Sequence, residues 1–194
     1  MSARTLFVIT LAVALAGAAM QPAFAQPRPA TLQAASSEIG FTTRQMGVPV
    51  EGTFGRFNAR IALDPKQPQG GSVALEIETG SARFGSAELD AEVPKPIWLH
   101  AAGFPQATFQ SSRIQAAGPG RFEVAGQLTI KGATRDLVVP VQLAPAGNNQ
   151  VATGSFAIKR LDFKVGEAEW ADTSLLANDV IVRFKLVLAG LPPA

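Results

Sequence analysis

Apolar and polar residues alternate along much of the chain, and the clearest alternation flanks Lys131-Gly132. On the N-terminal side, apolar residues or glycine occupy every second position from Phe122 to Ile130. On the C-terminal side, the same period continues from Leu137 to Leu143. Two alternating runs joined by a short connection that contains glycine predict an antiparallel hairpin with one buried face.

Similar alternation recurs along the rest of the chain, at positions 38–43, 50–57, 57–63, 73–79, 107–113, 151–159 and 179–189. Clusters rich in Pro, Gly and Asn separate several of these runs, as is typical of turns. Residues 86–93 break the pattern, because they begin with a Ser that can cap a helix, contain helix formers and end before Pro94. We therefore expect an all-β fold of about eight antiparallel strands with one short helical insertion, closed into a barrel or folded as a two-sheet sandwich.

The first 25 residues have the organisation of an export signal. Arg4 supplies a positive charge, an apolar run follows, and Ala23-Phe24-Ala25 has the small-x-small pattern that signal peptidase cleaves. We predict a signal peptide at 1–25, a flexible Pro-rich leader at 26–35 and one β domain at 36–190. An uncleaved membrane anchor is the alternative interpretation of the apolar run.

Composition excludes several classes of function. The chain has no Cys and one His, which removes disulfides, thiolate nucleophiles and thiolate metal sites. The formal net charge of +2 gives no electrostatic basis for binding nucleic acid. Since His100 has no second His at ligand spacing, we interpret it as a capping or solvent-facing residue rather than a metal ligand.

Motifs of nucleophile and nucleotide sites are missing as well. No Gly-x-Ser-x-Gly occurs. Gly118-Pro119-Gly120 lies between two predicted strands, so it indicates a hairpin turn rather than a phosphate-binding loop. We interpret the carboxylate pairs at 88/90 and 167/169 as solvated surface charge. The prediction is a protein that is not an enzyme and has no metal or cofactor, with an isomerase that uses a buried carboxylate as a further alternative.

Aromatic residues are the remaining chemical signal. The chain has 12 Phe and 2 Trp, and all of them except Phe7 and Phe24 follow the predicted signal peptide. Many fall on the inward phase of a predicted strand. Composition leaves two interpretations open, an ordinary packed core and the lining of a ligand cavity.

Four segments resemble the pattern of the YceI-like family, V-x-G-x-F-x-x-F, F-P-x-A-x-F-x-S, G-x-L-T-[IL]-x-G and R-x-D-F. They are Val50–Phe57, Phe104–Ser111, Gly126–Gly132 and Arg160–Phe163, which stand in the family's order and approximate spacing. The resemblance implies an eight-stranded antiparallel lipocalin-like barrel in the periplasm. It also implies a long polyisoprenoid chain, an isoprenoid quinone or a polyprenyl phosphate, in an internal tunnel where Gly52 and Gly55 would make room.

The strand phases and the resemblance together predict which aromatic residues contact this ligand. The predicted lumen residues are Phe41, Phe54, Phe57, Phe109, Phe122, Phe156 and Phe184. Trp98 and Phe104 are predicted at the mouth, because the helical insertion is the expected lid. The chain also departs from many relatives, which carry a His where it has Thr43-Arg44-Gln45 and an Arg-Asp-x-His-Leu run where it reads 88–96. It therefore resembles a distinct branch of the family.

The function implied by the resemblance is that of a non-enzymatic carrier or reservoir for the lipid, with no other cofactor. Its expected partners are the polyisoprenoid lipid and, transiently, the inner membrane or a membrane redox protein, and a homodimer is left open. The alternative is a stress-response or structural periplasmic protein whose barrel is packed solid and which acts through a protein partner.

Overall fold

The computed structural model describes residues 27–193, whose strands form one continuous antiparallel sheet. The strands are β1 (Arg28–Leu32), β2 (Glu38–Gln45), β3 (Val48–Phe54), β4 (Phe57–Leu63), β5 (Ser72–Glu78), β6 (Ala82–Arg83), β7 (Gln106–Gly118), β8 (Arg121–Ile130), β9 (Ala133–Ala146), β10 (Asn149–Lys159) and β11 (Asp179–Ala189). A short helix, α1 (Ala87–Glu92), lies between β6 and β7. Short 3₁₀ helices at Arg160–Phe163 and Ala168–Ala171 lie between β10 and β11.

The sheet closes into a ring of eight strands. The hydrogen-bonded order is β1-β4-β5-β7-β8-β9-β10-β11, and β11 pairs again with β1 through Thr31 opposite Ala189. Beyond the end of β1, β2 takes its place beside β11. β3 pairs with β2 and β6 pairs with β3, so these two strands continue the walls of β4 and β5. The prediction of an eight-stranded antiparallel barrel with one short helix is confirmed, and the two-sheet sandwich is excluded.

Three of the eight walls are interrupted, and buried hydroxyl groups bond to the backbone at two of the interruptions. Ser81 Oγ accepts a hydrogen bond from the Arg56 N–H at 3.0 Å and donates one to the Glu78 carbonyl at 2.7 Å. Thr79 Oγ1 donates to the Phe104 carbonyl at 2.7 Å. Such bonds replace the ladder where the strands break, because unpaired buried backbone groups are costly.

The hairpin of β8 and β9 is the one that the sequence predicts. Ile130 pairs with Ala133 across a two-residue turn, in which Lys131 and Gly132 both have positive φ, 49° and 76°. Positive φ at both central positions is the geometry of a type I′ turn, whose twist matches that of the strands.

Residues 28–32, which the sequence analysis assigned to a flexible leader, instead form β1. Ala30 pairs with Ile61 of β4 and Leu32 pairs with Leu188 of β11. The leader prediction is corrected for these residues, because this short strand gains its hydrogen bonds from two neighbours and supplies the closure of the ring. The predicted signal peptide at 1–25 lies outside the described residues.

The two ends of the barrel differ. At one end the turns after β7 and β9 lie together, and the Leu143 N–H donates to the Gly120 carbonyl at 2.7 Å. At the other end, two segments cover the barrel, 84–104 with α1 and 160–178 with the two 3₁₀ helices. We call them the first and second cap segments. None of the helices in the described part of the chain is long and apolar enough to cross a membrane.

Candidate functional site

The interior of the barrel holds a cavity of about 610 Å³. Strands from every wall contribute apolar side chains to its lining, and its floor is formed by buried residues that include Leu63, Ile114, Phe122, Leu143 and Leu188. A volume of this size lies within the range of small-molecule and cofactor pockets. The solid barrel that the alternative interpretation requires is therefore wrong for this chain.

Six of the seven predicted lumen residues line the cavity: Phe41, Phe54, Phe109, Phe122, Phe156 and Phe184. Phe57 does not, although it pairs with Ile77, which does. Phe57 follows the break between β3 and β4 and borders a separate groove at that break together with Gly55 and Asn58. That these residues contact a ligand remains a prediction.

The two residues predicted at the mouth have different positions. Trp98 lines the cavity, whereas Phe104 is not among the lining residues. The Phe104 ring packs edge-on against His100, with centroids 5.5 Å apart, and covers Gly132 of the β8–β9 turn. Phe104 therefore fixes the base of the first cap segment on the barrel.

The two cap segments are joined directly to each other. The indole rings of Trp98 and Trp170 lie with centroids 5.3 Å apart, and both residues line the cavity. Beside them, the Gly166 N–H donates to the Ile97 carbonyl at 2.9 Å. The ammonium group of Lys131 donates to the Lys164 carbonyl at 2.6 Å, which ties the β8–β9 turn to the second cap segment.

Arg160 organises the second cap segment from inside. Arg160 is only 3% exposed and belongs to the cavity lining. All five N–H groups donate to backbone carbonyls, at 2.5–3.0 Å, and these belong to Val165, Gly166, Trp170, Leu176 and Ala177. Burial lowers the pKa of the guanidinium, but arginine stays protonated at neutral pH.

The side chain of Arg160 is a buried cation held by carbonyl dipoles. Within residues 27–193, no carboxylate lies within ion-pair distance of it. Because its five donors are already used, it can offer a positive charge to the cavity but no free N–H group.

The polar lining of the cavity is confined to the capped end. It consists of Thr43, Gln45, Thr79, Glu88, Glu92 and Arg160. Glu88 is exposed and also lines the cavity, so the cavity reaches solvent beside α1. Glu92 forms an ion pair with Lys95. The resulting site is an apolar chamber with a carboxylate-bearing rim.

Sequence reasoning missed several lining residues. Phe84 and Trp170 lie in the cap segments, where no strand phase exists to assign them, and Phe163 lies in the 3₁₀ helix that follows β10. Arg160 carried a signal that could have identified it, because it continues the inward phase of Phe156 and Ile158. A cation in such a phase must be bonded internally.

Gly52 and Gly55 were predicted to make room in the tunnel, and the structure separates them. A Cβ on Gly52 would lie 2.8 Å from the Cε2 atom of Phe41, whereas a Cβ on Gly55 would meet only the Ser81 carbonyl oxygen at 3.6 Å. Gly52 thus provides space for a ring of the lining.

In the described part of the chain, no group of three or more His, Asp or Glu side chains is placed to hold a metal ion. The fold and the site together define a lipocalin-like antiparallel β-barrel with a closed floor, a capped mouth and an apolar internal cavity. The model of the YceI-like domain matches residues 31–188, and the chain belongs to the YceI-like family.

Individual relatives agree with this assignment. A UPF0312 protein of Vibrio cholerae serotype O1 (strain M66-2) is 28% identical over 156 residues, which cover 75% of this chain and 82% of the relative. The crystal structure of Burkholderia cenocepacia BcnA is 39% identical, with a TM-score of 0.79, and the match covers 81% of this chain and 99% of BcnA.

A more distant structure shares the fold. It is a polyisoprenoid-binding domain from Saccharophagus degradans, implicated in plant cell wall breakdown, with 16% identity and a TM-score of 0.64. The match covers 86% of this chain and 100% of that domain. At this identity, the similarity shows the architecture of the barrel.

Proposed function

We propose that this protein is a non-enzymatic periplasmic carrier that holds a long-chain isoprenoid lipid in its barrel. The observation that carries the proposal is the apolar cavity of about 610 Å³ whose polar lining is confined to the capped end. Membership of the YceI-like family and the fold shared with a polyisoprenoid-binding domain support this class of ligand.

The chemistry of the chamber suits an uncharged hydrocarbon tail. Each Å² of apolar surface removed from water contributes about 25 cal/mol, so an enclosed isoprenoid tail can bind tightly without a charged anchor. The closed floor formed by residues such as Phe122 and Leu188 favours entry from the capped end, with the tail inside and the headgroup at the rim.

The rim favours a neutral headgroup, an isoprenoid quinone, over a polyprenyl phosphate. Glu88 places a carboxylate beside the opening, where a phosphate would meet charge of its own sign, whereas the carboxylate of Glu92 is paired with Lys95. Arg160 cannot compensate through hydrogen bonds, because all five of its N–H groups are bonded to the backbone. Gln45 offers an amide that can donate to a quinone carbonyl.

Export to the periplasm is part of the proposal and is supported by the signal pattern of residues 1–25. Mass spectrometry of the intact protein from the periplasmic fraction is expected to show a mature chain that begins at Gln26. A chain that retains residues 1–25 in the membrane fraction would contradict this part of the proposal.

Exchange of the lipid requires contact with a membrane, and an apolar tip lies at the capped end. Met46, in the turn between β2 and β3, and Val48, the first residue of β3, are 72% and 64% exposed. The Met46 N–H bonds to the carbonyl of Leu175, which is also exposed, so the three side chains project from one place beside Gln45 of the rim. We propose that this tip touches the bilayer. Flotation of the protein with phosphatidylcholine vesicles would detect the contact, and the double variant Met46→Ser/Val48→Ser is expected not to float.

The decisive experiment is mass spectrometry of an organic extract of the mature protein, purified from periplasm without detergent. A polyprenyl species at about one per protein is expected. No lipid, also after incubation with membranes, would overturn the carrier proposal.

The headgroup is tested separately by adding ubiquinone or undecaprenyl phosphate to delipidated protein. Quinone is expected to bind more tightly, and Glu88→Gln is expected to narrow the difference, because it removes a negative charge from the rim. Tighter binding of the phosphate would contradict the headgroup assignment while leaving the isoprenoid tail in place.

A further inference from the structure

A phenylalanine ring occupies the space that a side chain at Gly52 would need. Phe41 of β2 and Gly52 of β3 pair directly across the sheet. A Cβ placed on Gly52 would overlap Cζ of Phe41 and lie 2.8 Å from its Cε2, closer than Cβ atoms approach other atoms. The ring of Phe41 therefore extends sideways over Gly52 of β3, and Phe41 also belongs to the cavity lining.

The same relationship occurs at two other places in the barrel. Phe184 of β11 pairs directly with Gly154 of β10, and a Cβ on Gly154 would lie 2.7 Å from Cε1 of that ring. Phe109 of β7 lies diagonally across from Gly126 of β8, whose Cβ would be 2.7 Å from Cζ. Three of the phenylalanines that line the cavity thus lie over a glycine of the adjacent strand.

Glycine inside a strand weakens the strand unless another group uses the space that it leaves. Here that group is an aromatic ring in each case. A methyl group at Gly52 would force the Phe41 ring to rotate, and neighbouring rings limit where it can go. Phe54 and Phe84 lie with centroids 5.1 Å and 5.2 Å from Phe41. The free space on the other side is the cavity itself.

We propose that Gly52, Gly126 and Gly154 are specificity-determining residues. They set the width of the cavity, because each lets the phenylalanine ring beside it lie along the barrel wall. The inference rests on the proposed function, and it assigns the class of chain that fits, a methyl-branched isoprenoid rather than a narrower straight acyl chain. The branches thicken the chain, so it requires the width that the flattened rings leave, whereas a straight chain does not.

Gly52 is the best position for a test. At Gly126 and Gly154, an added Cβ would also overlap a backbone carbonyl oxygen, of Gln110 and Pro140, so alanine there strains the sheet itself. At Gly52 the nearest atoms belong to the ring of Phe41, and the nearest backbone atom is the Arg83 carbonyl oxygen at 2.9 Å.

Gly40 provides the matched control. It precedes Phe41 in β2, is absent from the cavity lining, and a Cβ there would meet nothing closer than the Gly52 carbonyl oxygen at 3.5 Å. Gly40→Ala therefore adds the same methyl group to the same pair of strands without displacing a ring.

The experiment measures delipidated wild type, Gly52→Ala, Gly40→Ala, Phe41→Leu and the double variant Gly52→Ala/Phe41→Leu. Binding of the neutral dye N-phenyl-1-naphthylamine reports the cavity directly, and competition by farnesol and by dodecanol compares a branched with a straight chain of similar length. Gly52→Ala is expected to weaken farnesol about tenfold and dodecanol less than about threefold. Gly40→Ala is expected to match wild type.

The double variant decides whether the ring is the cause. Without the Phe41 ring, the methyl group at Gly52 has no ring to displace and only the Arg83 carbonyl oxygen to accommodate, so farnesol binding is expected to return to within about threefold of wild type. If Gly52→Ala fails to fold, the double variant can still be compared with Phe41→Leu. These two proteins both lack the ring and differ only by the methyl group at position 52, and they are expected to bind farnesol with the same affinity.

Equal losses of farnesol and dodecanol in Gly52→Ala, or no recovery in the double variant, would overturn the inference. Failure of the proposed function has a different signature. In that case wild type would bind the dye but neither farnesol nor membrane-derived isoprenoid. If dye binding were also unchanged in Gly52→Ala, the claim that a methyl group at Gly52 pushes the Phe41 ring into the cavity would be wrong as well.

Discussion

The indole ring of Trp98 in the first cap segment lies 5.3 Å, between centroids, from that of Trp170 in the second. Strands β7 to β10, which form four of the eight walls, separate the two segments in sequence, and this contact joins their side chains at the cavity. Both rings also line the cavity. The residues that join the two cap segments are therefore also part of the cavity wall.

Loss of this contact is expected to speed the release of bound lipid. An aromatic pair contributes about 0.5–1.5 kcal/mol beyond its buried area, so Trp170→Ala should raise the dissociation rate about two- to thirteenfold. The rate is measured by transfer of ubiquinone to acceptor vesicles. Trp170→Phe, which keeps an aromatic ring against Trp98, should release the lipid at nearly the wild-type rate. Release from Trp170→Phe as fast as from Trp170→Ala would show that the aromatic contact does not slow the release of lipid.

Replacement of Arg160 is expected to destabilise the whole protein. Its five N–H groups bond to five carbonyls of the second cap segment. Arg160→Lys keeps the charge but cannot reach all five oxygens, so a loss of about 3 kcal/mol in the free energy of unfolding is expected. Urea denaturation measures it.

Arg135→Ala is the control for Arg160, because Arg135 is exposed and donates only to the carbonyl of its own neighbour, Thr134. Its effect on the free energy of unfolding should stay within about 0.5 kcal/mol. An Arg160→Lys protein as stable as Arg135→Ala would show that the carbonyl cluster does not depend on the guanidinium.

Filling the chamber is expected to reduce ligand binding without unfolding the barrel. Phe122→Trp adds volume at the floor of the cavity, where space exists for it, and should weaken lipid binding about tenfold with little change in melting temperature. Phe57→Trp is matched to it, since Phe57 is a barrel phenylalanine that does not line the cavity. Isothermal titration with ubiquinone measures the affinity of each variant. Equal losses of affinity in both variants would contradict the position of the ligand inside the cavity.

The turn at Asp172 is expected to weaken in acid. Hydrogen bonds from the Ser174 hydroxyl and from its N–H lower the pKa of the Asp172 carboxyl. Because the folded pKa lies below the unfolded one, the stabilisation is complete above the unfolded pKa and is lost as pH falls through the folded pKa. An NMR titration should find the pKa of Asp172 below the usual value for aspartate. Ser174→Ala should raise it, and an unchanged pKa in that variant would show that Ser174 is not the cause.

Local sequence patterns were sufficient to predict the all-β class, the type and position of α1 and the β8–β9 hairpin. These are local features, since strand period, helix formers and turn residues act over a few positions. The alternation of side chains was also sufficient for six of the seven lumen phenylalanines, because their strands are regular and the inward phase carries over directly. Phe57 was the exception, because at the break between β3 and β4 it borders the separate groove instead of the cavity.

Long-range pairing decided the rest. The sequence specified strands whose apolar faces must be buried, and the family motifs indicated the barrel that would bury them. Only the tertiary structure decided that β1 closes the ring between β4 and β11, that Arg160 holds the second cap segment, and that Phe41, Phe109 and Phe184 lie over glycines of adjacent strands. Each of these depends on which residues of distant segments stand opposite one another, and a pattern of period two is the same for every register that keeps the apolar face inward.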